Sequence, residues 1–126
     1  KMPKHYGIGV SQKKSGVSSE ISQDYIDKNT IMRYNVPYVN KIFKRFVSKN
    51  ESVKFDDKPK IHQVSKGNEN DTKVIIPIYS SIQDNPLTLD NCDKLAELKI
   101  PMPKNKQNMS IEFVFSETVF TVYAYE

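Results

Sequence analysis

Near the carboxyl end, apolar and polar residues alternate. Ile111, Phe113 and Phe115 fall on one side of an extended chain, and Glu112, Val114 and Ser116 on the other. Val119, Thr121, Tyr123 and Tyr125 separate in the same way from Phe120, Val122 and Ala124. A period of two is the signature of a strand. A tight turn near Glu117-Thr118 would join the two as a hairpin. Further strands are predicted upstream. "HYGIGV" (5–10) is short and contains two glycines. "IFKRFVSKNESVKF" is a long segment interrupted at Ser48 to Asn50. "KPKIHQV" leads into the turn "GNEND", and "KVIIPIYSSI" and "KLAELKIPMP" follow. Residues 11–40 are the least regular. They read as a long mobile loop with one helical turn, where Ile21, Tyr25 and Ile26 have helical spacing before Pro37 breaks the pattern. The expected fold is all-β: an antiparallel β-sandwich of about eight strands in one domain spanning residues 1–126.

The stretch "VIIPIYSSIQDNP" (74–86) refines that picture. Four of its first five residues are aliphatic, yet Pro77 interrupts them. Proline lacks a backbone N–H, which an edge strand tolerates and a central strand does not. Residues 74–78 are therefore expected at an edge, where proline also discourages pairing with a second chain. The polar turn after them is expected to lead to the second sheet.

Composition fits one soluble domain. The chain has 126 residues, 37% hydrophobic and 27% charged, with a net charge of +4. Its lysines are scattered as a solvated surface would have them. "KIFKRFV" (41–47) comes nearest to a nucleic-acid track, but its alternation suits a strand better. No apolar run approaches the ~20 residues of a membrane helix, and no signal-peptide pattern is present. The chain opens on Lys1 and stops after "FTVYAYE", so it reads as a domain excised from a longer protein. Three sequons, at Asn50, Asn70 and Asn108, arise easily by chance in a chain this rich in Asn, Ser and Thr. The single cysteine, Cys92, favours a reducing, cytoplasmic setting.

Little in the sequence suggests catalysis. Cys92 would need a base, and neither His5 nor His62 stands in a catalytic motif. Two distant histidines and one cysteine make no metal-ligand set. "GIG" (7–9) lacks the third glycine and the following helix of a dinucleotide fingerprint. Asp56-Asp57 and the pair Asp90 and Asp93 lie in turn-like stretches, where aspartate serves conformation.

Several segments taken in order do suggest a family. "KLAELKIPMPKNKQNMSIEFVFSETVFTVYAYE", "KVIIPIYSSIQDNP" and "PKHYGIGV" resemble successive strands of the peptide-binding β-sandwich of the 70-kDa heat-shock chaperones. "YGIGV", "FKRFVSKNESV" and "IYSSIQDNP" are most similar to its divergent heat shock 70 kDa protein 12 branch. The resemblance implies a domain that holds extended hydrophobic segments of unfolded proteins. Backbone bonds would give grip and a pocket would give selectivity. The peptide-contacting positions it implies are Ile8 and Ser11 near the first strand, Ile61 and Val64 on the third, and Val74, Ile76 and Ile78 on the fourth. It implies no cofactor here, with ATP bound by a separate nucleotide-binding domain that would be this domain's partner. Two departures stand out. Val64 replaces a residue usually small, which narrows the pocket, and residues 11–40 are long enough to fill the groove themselves. The competing reading is a non-catalytic interaction or structural sandwich with a degenerate groove; a small enzyme is a third.

Overall fold

The computed structural model describes residues 3–51, 60–65, 70–102, 108–115 and 120–125. The chain is mostly antiparallel β-structure, as the alternating pattern predicts. The strands are β1 (His5–Lys13), β2 (Thr30–Arg33), β3 (Val36–Val47), β4 (Lys60–Ser65), β5 (Lys73–Ser81), β6 (Asp93–Pro101), β7 (Asn108–Phe115) and β8 (Phe120–Tyr125). One sheet has the order β2-β3-β1-β5-β6 and the other β4-β7-β8. The β7–β8 hairpin pairs Phe115 with Phe120. The turn expected at Glu117-Thr118 lies outside the described residues.

The core lies between the sheets. Ile8, Phe46, Ile76, Ile78, Ile100 and Met102 of the larger sheet and its margin meet Met109, Ile111 and Phe113 of β7. Ile111 and Phe113 are almost fully buried, as their shared side of the strand predicts. The Phe46 and Phe113 rings pack at 4.7 Å between centroids and a 46° tilt, an edge-weighted geometry that locks sheet to sheet. Burying each such side chain stabilises the fold by about 1.5–3 kcal/mol.

Residues 11–40 depart from the expected irregular loop. β1 runs on to Lys13, and a 3-10 turn follows at Lys14–Gly16. The helix α1 (Gln23–Asn29) is capped by the Ser22 hydroxyl, which accepts from the Tyr25 N–H at 3.2 Å. It ends where the Thr30 hydroxyl bonds back to the Ile26 carbonyl. So short a helix is marginal alone. Ile21, Tyr25 and Ile26 anchor it on Val39 and Ile42.

The chain then forms a hairpin, β2–β3, through Tyr34 and Asn35, whose φ angles are +50° and +64°. Two left-handed residues in succession match the twist of a tight hairpin turn. Pro37 sits inside β3, opposite Met32 on the edge strand β2, and does not break the segment.

β5 needs a second correction. It lies between β1 and β6 and is not the edge of its sheet. The polar stretch after it returns to β6 of the same sheet and does not cross to the other. On the way, that stretch bonds to β3: the Phe43 N–H donates to the Leu87 carbonyl and the Leu89 N–H to the Lys41 carbonyl. No helix among the described residues is long and apolar enough to cross a membrane.

Candidate functional site

Pro77 marks where two neighbouring strands part. β1 and β5 are paired from His5–Ser81 to Ile8–Ile78 and no further. Beyond that point β1 stays with β3 as far as Lys13. β5 stays with β6 back to Lys73. Over Lys73–Pro77, β5 is therefore paired on one side only. Locally it has the free edge that proline tolerates, although the strand as a whole is interior.

The parting leaves a cleft of about 510 Å³. Strand alternation sorts its walls. Ile8, Val10, Val74 and Ile76 belong to the side turned to the core, where Ile8 and Ile76 are buried and Val10 and Val74 pack against them. Gly9, Ile75, Pro77 and Tyr79 line it from the other face, with Leu89 of the returning loop close by. Gln63 of β4 reaches it from the second sheet and donates to the Ser110 hydroxyl at 3.0 Å. Because both faces contribute, the cleft is a gap in the sheet, with aliphatic residues on its two strands and polar ones around them.

Gly9 keeps the cleft open. A Cβ there would lie 3.0 Å from the Leu89 side chain and 3.2 Å from those of Pro77 and Tyr79. Gly7 has a different purpose. A Cβ there would meet the Lys44 carbonyl at 2.1 Å, so only glycine lets β1 approach β3 so closely.

The rim is polar and fixed. The β1–β3 register slips between Val10 and Gln12, and Lys41 adopts a φ of +59°. This is a bulge, which turns the strand and redirects its side chains. It puts Val39 and Ile42, three positions apart, into one cluster. The Ser11 hydroxyl donates to the Asn40 side-chain carbonyl at 3.0 Å. The Lys41 carbonyl accepts from both the Leu89 N–H and the Tyr25 hydroxyl. Burial pushes the Tyr25 pKa up, which keeps that hydroxyl a donor. Arg33 lies 5.9 Å from the centre of the Tyr38 ring, and Arg33, Tyr38, Asn40 and Lys41 all line the cleft.

Of the positions implied by the family resemblance, Ile8, Ser11, Val74 and Ile76 come together here. Ile78 is buried in the core at the closed end of the gap. Ile61 and Val64 lie in β4, opposite Glu112 and Met109 of β7; their side chains fall outside the described residues. Sequence reading missed Gly9, Asn40, Lys41 and Leu89. The bulge and the returning loop that bring them in have no short-range signature.

Cys92 is half-buried. Its thiol makes a weak 3.4 Å contact to the Thr88 carbonyl, and burial pushes its pKa up. A raised pKa favours the thiol over the nucleophilic thiolate. The His5 Nδ1 accepts the Lys49 N–H at 2.9 Å and lies 3.3 Å from an Arg45 nitrogen, a structural placement at the start of β1.

Compared with known proteins, the chain matches no protein-family model, no curated protein and no solved structure.

Proposed function

We propose that this domain binds an extended polypeptide segment in the gap between β1 and β5, as the substrate-binding β domain of a 70-kDa-heat-shock-like chaperone would. The observation that carries the reading is the end of β1–β5 pairing at Ile8–Ile78. Past that pair, two strand edges face one cleft with apolar walls. Extended peptides bind such edges through main-chain hydrogen bonds, while pockets select their side chains. The five residues Lys73–Pro77 offer about 17 Å of edge at ~3.4 Å per residue. One aliphatic side chain buried there contributes about 1.5–3 kcal/mol before ordering costs, so affinity on the order of micromolar is expected. Binding, not catalysis, is the proposed activity. A cytoplasmic setting accords with the single cysteine.

A labelled hydrophobic heptapeptide tests this by fluorescence anisotropy. Saturable binding, competed by unlabelled peptide and weakened by Val74→Phe, is the expected result. A well-folded protein that binds nothing would favour the second reading, an interaction module with a degenerate groove. That reading draws on the β2–β3 hairpin, where Met32 is 64% and Tyr34 70% exposed.

A further inference from the structure

We propose that the segment held between β1 and β5 carries a carboxylate next to its apolar residue, so that the preferred ligand is an acidic-hydrophobic peptide; this rests on the peptide-binding reading of the same cleft. The charged side chains lining the cleft are Arg33 and Lys41, and no aspartate or glutamate lines it. Neither cation is in an ion pair among the described residues. Arg33 is positioned through its side chain and Lys41 through its backbone. Arg33 lies over the Tyr38 ring, and the Lys41 backbone is held by Tyr25 and Leu89 in the bulge opposite Ser11. A second depression of about 470 Å³ continues along the free edge of β5 and shares Arg33, Val74 and Ile75 with the first. Its acid, Asp71, is accompanied there by Lys73. Arg33 thus stands where the two depressions meet, as do Val74 and Ile75. A carboxylate beside a buried aliphatic residue would meet a guanidinium capable of bidentate contact, with the ammonium on the same rim. A lysine or arginine in that place would meet two like charges.

The test compares three labelled heptapeptides with the same leucine centre and glutamate, serine or lysine flanks, titrated by anisotropy at low salt. The expected order is glutamate, then serine, then lysine, with the glutamate peptide about three- to tenfold tighter than the serine one, as rim charge pairs allow. The preference should shrink at high salt, because exposed charges are screened. Arg33→Gln combined with Lys41→Gln should abolish the preference, bringing the affinities for the three peptides to within about twofold of one another. Lys28→Gln combined with Lys49→Gln makes the same change in net charge outside the cleft and should leave the preference intact. Equal affinity for all three peptides, or a preference that survives Arg33→Gln/Lys41→Gln, would overturn this proposal and leave the peptide-binding reading standing. Binding of none of the three would overturn both.

Discussion

Ile8 and Ile78 form the last pair that β1 and β5 share. Both are buried, at 1% and 2% exposure, so the apex of the gap is pinned in the core. The cleft is therefore held by a packed hinge point and not by loops. A strand edge can be left unpaired beside Pro77 only because the pairs from His5 to Ile8 hold the two strands together beneath it.

The two glycines of β1 should respond differently to substitution. Gly7→Ala drives a Cβ into the Lys44 carbonyl, and backbone cannot step aside cheaply. A loss of about 3 kcal/mol or more, or failure to fold, is expected. Gly9→Ala meets only side chains, which can give way. A loss of about 1 kcal/mol is expected, with weaker peptide binding as Leu89 shifts. Urea unfolding of the pair, followed by circular dichroism, checks the ranking.

The Tyr34-Asn35 turn carries strain that a better turn sequence would remove. Both residues have positive φ, and Tyr34 is mostly exposed, so little packing is lost with it. Replacing the pair by Asn-Gly (Tyr34→Asn with Asn35→Gly) should stabilise the protein by about 1 kcal/mol. The melting temperature should rise accordingly. An unchanged or lower value would argue against the tight hairpin.

That hairpin also shows where sequence reading stopped. The alternation at the carboxyl end was legible because β7 buries Ile111 and Phe113 from one face, so hydrophobicity tracks geometry there residue by residue. β2 was not. Its Ile31 and Met32 are exposed, and its turn uses tyrosine where glycine is the usual signal. Pro37 is a helix-breaking signal in the sequence, yet it sits within β3 opposite an edge strand. Strand β5 was legible as well, in the aliphatic run around Pro77, whereas Val74 and Ile76 as cleft positions are what the family resemblance implies. The remainder depends on a bulge at Lys41 and on a loop that returns to β3, long-range arrangements that no local pattern encodes.

Stability should fall on mild acidification because of His5. Burial, and then the nearby Arg45 charge, hold its pKa below the ordinary value of 6.5. As the pH drops through about 6.5, the unfolded chain takes up a proton that the folded protein refuses. Unfolding is favoured increasingly from there until the folded state is protonated too. The urea midpoint should be flat from pH 8 to 7 and decline from pH 7 to 5. His5→Asn should flatten part of that decline. An identical decline in the variant would show that His5 does not carry it.

Ser80 offers a case where removing a polar group should not destabilise. Its hydroxyl is fully buried and has no hydrogen-bond partner among the described residues. Ser80→Ala removes a desolvated group without opening a sizeable void. A change between neutral and about 1 kcal/mol of stabilisation is expected in thermal unfolding.

The central claim is that β1 and β5 open to receive an extended chain. Amide chemical-shift mapping of the isotope-labelled protein, titrated with the unlabelled glutamate-flanked heptapeptide, tests it most directly. The account predicts saturable shifts concentrated on Gly9 to Ser11, on Val74 to Ile76 and on Lys41, with little change in α1. Shifts confined to the hairpin around Met32 and Tyr34, or none at millimolar peptide, would contradict it.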